Sequence, residues 1–125
     1  MGHKTWHKQR VVVAENNSEN RRSLCNVVTS LNFEATPVCS GLGTISEVRL
    51  GRAALVLLDV DLPFLDKENT LDEIRKIAEK LPVIMMSSVM TAILARRLTD
   101  RGAQGFLLKP IQRKHLAMML SQYLT

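Results

Sequence analysis

Four polar stretches in this chain each stand directly behind a short apolar run. They are Glu15-Asn16, Asp59, Ser87-Ser88 and Lys109. Their types suit phosphoryl transfer. An aspartate carboxylate can accept a phosphoryl group, and an acid beside it can hold a hard cation through oxygen ligands. A hydroxyl and an ammonium can bind phosphoryl oxygens and stabilise their charge. Each residue alone has a plainer explanation; Asp59, for instance, can simply cap a turn. Yet an unpaired carboxylate is costly to bury, and Leu55-Val56-Leu57-Leu58-Asp59 drives an acid straight out of an unalternating apolar run. Four such positions in one short chain point to one site.

The elements that must position these residues are legible as alternating strands and helices. Arg10 to Ala14, Leu55 to Leu58, Val83 to Met86 and Gly105 to Leu108 are apolar runs too short for helices and read as strands buried on both faces. Glu34 to Cys39 reads as a further strand, and Pro37 within it argues for a sheet edge. Between the strands, apolar residues recur at helical spacing. They are Leu24, Val27, Val28 and Leu31; Leu42, Ile45 and Val48; Leu71, Ile74, Ala78 and Leu81; Ala92, Ala95 and Leu98; and Leu116, Met119, Leu120, Tyr123 and Leu124. Ser18 is the expected cap of the first helix, with Arg21 where a capping box would want Glu. Phe64 to Asn69 is expected to be loop, while Gly51, Pro82 and Gly102 end helices. Five strands alternating with five helices imply an α/β fold with a parallel sheet covered on both faces. The carboxyl ends of all strands then lie along one edge, which brings the four stretches together.

Composition excludes several classes. The 125 residues suffice for one domain, and no apolar run is long enough to span a membrane. The net charge is +5, but Arg21-Arg22, Arg96-Arg97, Arg101 and Arg113-Lys114 are dispersed and read as solvated helix faces. With aromatics at 4%, stacking platforms for nucleic acid are lacking, so no direct nucleic-acid binding is expected. Cys25 and Cys39 form no metal-ligand pair and fit a reducing cytoplasm. His3 and His7 lie in a segment without helical pattern, so no metal site is expected there. Residues 1–9 read as a flexible basic tail and 10–125 as the domain.

VVVAENNSENR, LVLLDVDLP, VIMMSS and GAQGFLLKP together resemble the receiver domains of two-component response regulators, the CheY-like superfamily. The likeness covers roughly Arg10 to Thr125. It implies a flavodoxin-like (βα)5 three-layer sandwich with strand order 2-1-3-4-5, in agreement with an edge position for Pro37, and a cis bond at Lys109-Pro110. It also implies a phosphoacceptor at Asp59, magnesium ligands at Glu15, Asn16, Asp59 and the backbone carbonyl of Asp61, and a phosphoryl-binding and switch set of Ser87, Ser88, Lys109 and Phe106. The implied role is a cytoplasmic, non-enzymatic switch of a bacterial two-component system. A sensor histidine kinase or phosphotransfer protein would charge it. It would act on a downstream effector protein or an output domain. A homodimer would form through the fourth helix, last strand and last helix.

Two positions depart from the family pattern. Asn16 stands where a second acid, a direct magnesium ligand, is usual, so weak Mg²⁺ binding is expected. Asp66-Lys67 replaces the usual Asp-Gly after Pro63. Asn16 is the main support for a rival reading, a pseudo-receiver that signals by phosphorylation-independent protein contact. A second rival starts from Asp59-Val60-Asp61, which also resembles the nucleophile motif of haloacid-dehalogenase-type phosphatases. Those enzymes need acidic metal ligands downstream of their lysine, and no Asp or Glu follows Lys109.

Overall fold

The computed structural model describes residues 8–124. The tail expected at 1–9 lies, up to His7, outside the described residues, as do His3 and His7 themselves. Strand β1 (Arg10–Ala14) leads to α1 (Ser18–Ser30), then β2 (Glu34–Val38) and α2 (Gly41–Arg49). Strand β3 (Ala53–Asp59) precedes α3 (Lys67–Ile77), β4 (Val83–Ser87), α4 (Ala92–Asp100), β5 (Gly105–Leu108) and α5 (Arg113–Tyr123). The strands form one parallel sheet in the order β2-β1-β3-β4-β5. Pro37 sits on β2, at the edge, where its missing N–H costs no interior ladder bond. The Lys109-Pro110 bond is cis, as the resemblance implies.

Side-chain alternation along the buried strands divides the core in two. Val12, Ala14, Val56, Leu58, Val83 and Met85 pack on one face against Ile45, Val48, Leu71, Ile74 and Leu98 from α2, α3 and α4. Val11, Val13, Leu55, Leu57, Ile84, Met86 and Leu107 pack on the other against Leu24, Val28, Leu116, Leu120 and Leu124 from α1 and α5. This is the three-layer sandwich expected of the alternation.

Five local expectations need correction, the first being the end of α3: it stops at Ile77, with Ala78 in a non-helical cap conformation, and does not run through Leu81 to Pro82. The cap of α1 is Asn17, whose side chain accepts the N–H of Asn20; its backbone is extended (φ −77°, ψ 125°), as a cap requires, while Ser18 is already the first helical residue. Leu42 points outward, 56% exposed, and Thr44 takes the inward place, its hydroxyl donating to the Ser40 carbonyl at 2.9 Å. The loop after Pro63 is shorter than expected: Asp66 caps α3 by accepting the Asn69 N–H at 2.8 Å, so the helix begins at Lys67. On α4, Ala92 is exposed, and Leu94 packs inward beside Leu98. At Gly41 a side chain would collide with backbone and side chain, since an added Cβ would stand 2.7 Å from Thr70 Oγ1 and 2.8 Å from the Leu65 carbonyl. The bare backbone there lets α2 close against the loop that follows Asp59, with the Gly41 N–H on the Pro63 carbonyl at 3.1 Å.

Candidate functional site at the carboxyl edge of the sheet

Register decides which strand ends meet. Ala14 pairs with Leu58, so Glu15, one residue on, stands beside Asp59. Asp59 pairs with Met86, and Ser87 with Leu108. The ladder runs on past the strands: Val60 N–H donates to Met86 carbonyl at 3.0 Å and Lys109 N–H to Ser87 carbonyl at 2.8 Å. Glu15, Asp59 and Lys109 continue the phase of Val13, Leu57 and Leu107 and therefore face the α1 and α5 side. Ser87 continues the phase of Val83 and Met85, which belongs to the α2, α3 and α4 side.

The first three residues form a compact charged centre. Lys109 Nζ lies 2.6 Å from Glu15 Oε1 and 3.0 Å from Asp59 Oδ2. Both carboxylates are almost wholly buried, at 1% and 3% side-chain exposure. Glu15 Oε1 is buried with no aligned hydrogen-bond donor, so the ammonium charge is what stabilises it. Glu15 Oε2 accepts the Asn17 N–H at 2.8 Å. Asp59 accepts the Asp61 N–H on Oδ1 at 3.1 Å and the Asn16 N–H on Oδ2 at 3.4 Å. Burial pushes the Asp59 carboxyl up, but the Asp61 N–H and the Lys109 ammonium outweigh it and hold the group below its ordinary value. Burial likewise pulls the Lys109 ammonium down, and the Glu15 and Asp59 carboxylates more than offset this, leaving it raised.

The remaining expected residues stand at the edge without joining that centre. The Ser87 hydroxyl is turned into its own loop, donating to the Val89 carbonyl at 2.6 Å and accepting the Val89 N–H at 3.2 Å. Ser88 is exposed and lines, with Lys109, Glu15, Asn20, Leu24, Val27, Pro110 and Ile111, a cleft of about 490 Å³ between α1 and the loop after β5. Phe106 is half-buried against the α2, α3 and α4 side of the core. The side chain of Asp61 is exposed; its contribution is the backbone N–H already described.

One contributor was missed in the sequence. Arg21, read there as part of a solvated face, reaches back from α1 and donates to the backbone carbonyls of Glu15 at 2.8 Å and Asn16 at 3.3 Å.

The two converging carboxylates suit a hard, oxygen-loving cation. The donor set is thin, however. Among the described residues, no three His, Cys, Asp or Glu side chains gather into a metal cluster.

A flavodoxin-like sheet with buried acids and a lysine at its carboxyl edge defines the class of protein. The model of the response regulator receiver domain matches residues 11–121, and the chain belongs to that family. It is 32% identical over 111 residues to the two-component response regulator-like APRR3 of Arabidopsis thaliana, covering 86% of this chain and 22% of that protein. It is 29% identical over 99 residues to the tetrathionate response regulatory protein TtrR of Salmonella typhimurium, covering 79% of this chain and 48% of that one. The chain thus spans from about a fifth to a half of the length of these relatives. Among solved structures, the chemotaxis protein CheY4 of Vibrio cholerae superposes with a TM-score of 0.87 at 17% identity, over 94% of this chain and 99% of that one. The receiver domain of the sensor histidine kinase PA1611 of Pseudomonas aeruginosa, with a magnesium ion coordinated in its active site cleft, superposes with a TM-score of 0.85 at 24% identity, over 93% and 97%.

Proposed function

We propose that residues 10–125 form a phosphorylation-dependent switch in which Asp59 accepts a phosphoryl group from a histidine kinase or phosphotransfer protein. The observation that carries this reading is the convergence of buried Glu15, Asp59 and Lys109 at one strand edge. Asp59, held ionised by its donors, supplies the attacking oxygen. Its bond to phosphorus forms as the bond from phosphorus to the donor's imidazole nitrogen breaks, and that nitrogen leaves with the electron pair. Lys109 follows the new charge and pairs with a phosphoryl oxygen. Ser87, once released from Val89, is the hydroxyl on the other side of the acceptor. Glu15, Asp59, the Asn16 amide oxygen and the Asp61 backbone carbonyl would hold a magnesium ion, which would supply positive charge against the phosphoryl oxygens.

The output face in this reading is α4, β5 and α5. Leu108 and Met118 are both 61% exposed there, apolar surface suited to an effector, an output domain or a second copy. Among the described residues no helix is long and apolar enough to cross a membrane. A cytoplasmic site of action suits this family role. Asn16 favours a second reading, the pseudo-receiver, because it leaves the site one carboxylate short. Incubation with acetyl phosphate and saturating Mg²⁺ separates the two. Intact mass should rise by one phosphoryl group in the parent and not in Asp59→Asn. An unchanged parent mass favours the pseudo-receiver.

A further inference from the structure

The β1–α1 loop is held from behind by a side chain that the phosphorylation chemistry does not use. The peptide group joining Glu15 to Asn16 has its carbonyl on Arg21, at 2.8 Å, and its N–H on Asp59, at 3.4 Å. The next peptide group, joining Asn16 to Asn17, has its carbonyl on Arg21, at 3.3 Å, and its N–H on the Glu15 carboxylate, at 2.8 Å. One guanidinium therefore grips the oxygen end of two successive peptide planes whose nitrogen ends each serve a buried carboxylate of the site.

We infer that Arg21 is a positioning residue for the acceptor site, orienting the two peptide groups of the Glu15–Asn17 turn so that their N–H donors face Asp59 and Glu15. This rests on the proposed function for its consequence but not for its geometry. A peptide plane whose carbonyl is pinned to a cation is restricted in rotation, and its N–H becomes a better donor through polarisation. Both Arg21 bonds leave from one terminal nitrogen, Nη1, whose two N–H groups diverge in fixed directions within the guanidinium plane, where a lysine ammonium offers a freely rotating point charge. Asn16 itself is exposed, so its own side chain is not what anchors the turn. The turn lies between a rigid strand and the first turns of α1, and Arg21, on the fourth position of that helix, is placed to reach it. The charge of Arg21 also reaches Cys25 one turn further along: burial raises that thiol, and Arg21 partly offsets the rise.

The test uses the full chain with Arg21→Met, which keeps an apolar stem of similar reach, and Arg21→Lys, which restores the charge and N–H donors without the fixed planar geometry. Two readouts are taken. Amide hydrogen exchange at Asn16 and Asn17 should accelerate in Arg21→Met while core strand amides keep their protection. The initial rate of phosphorylation by acetyl phosphate at subsaturating Mg²⁺ should fall about tenfold or more, as when a group supporting metal ligands from the outer shell is lost. Arg21→Lys should recover part of both. Unchanged exchange at Asn16 and Asn17 in Arg21→Met overturns the inference. So does faster exchange spread evenly over the core, which would make Arg21 a general stabiliser. If the parent takes up no phosphate, the proposed function fails, and the exchange measurement still decides the role of Arg21.

Discussion

Asn16 is the residue at which this site departs most from an acid-rich pocket. The charged groups converging there are Glu15, Asp59 and Lys109, so the two negative charges are already partly neutralised by the ammonium. A missing carboxylate lowers attraction for a divalent ion and also relieves repulsion between acids in the pocket. Mg²⁺ is therefore expected to bind weakly, and Asn16→Asp to bind it more tightly. Asp61 tests the competing idea that a nearby acid makes good the deficit. Its side chain is exposed, which limits its field at the site, so Asp61→Asn should change affinity little. Titration of Mg²⁺ into the parent and the two variants, followed by NMR shifts near Asp59, distinguishes these outcomes. Equal affinity in the parent and Asn16→Asp would show that Asn16 does not limit the site.

At the scale of elements, the loop from β3 to α3 holds a local conflict. Phe64 has φ 64°, in the left-handed region, and the residue is 77% exposed. A bulky side chain there carries strain of about 1–2 kcal/mol, and no burial of the ring offsets it. Asn tolerates this backbone far better. Phe64→Asn should raise stability by about 1 kcal/mol in urea unfolding; a loss of stability would mean that the exposed ring contributes packing after all. The conflict was not legible in the sequence, because backbone handedness depends on how Pro63 and Gly41 close the loop. Strands were legible because buried parallel strands need unbroken apolar runs, and Val11 to Val13 or Val83 to Met86 have no other use. The strand order itself came through resemblance, with Pro37 as its independent sign. Side-chain reach was the hidden part. Arg97 and Arg101 were read as solvated, yet Arg97 lies 3.4 Å from Glu68, and Arg101 3.6 Å from Glu68 and 2.5 Å from Asp72, tying α4 to α3. Such exposed pairs contribute little each, about 0–1 kcal/mol. Ser87 was placed at the right strand end, but its phase and its bonds to Val89 follow from how the loop turns, which spacing does not encode.

For the whole molecule, the Glu15, Asp59 and Lys109 centre links the fold to pH. Asp59 holds its proton less tightly folded than unfolded, so unfolding takes up a proton and stability rises with pH through the acid range. Its share is present above the unfolded carboxylate value of ~3.9 and is lost as pH falls through the lower folded value. Lys109 acts at the opposite limit: its raised folded value means a share present below ~10.4 and lost as pH climbs through the higher folded one. Between the two limits the ion pairs contribute in full. Lys109→Ala should still fold, because the lysine stands at a strand end and the two cores on either side of the sheet do not include it. At about pH 7 it should lose roughly 1–3 kcal/mol, since two nearly buried carboxylates are left facing each other without their cation. Without the ammonium the burial that pushes Asp59 up is less opposed, so the carboxyl regains protons more readily, and the deficit against the parent should shrink as pH falls below about 4. Urea unfolding of both proteins by circular dichroism across the acid range measures this directly. A deficit that stays constant with pH would assign the loss to the packing of the lysine stem and not to its charge.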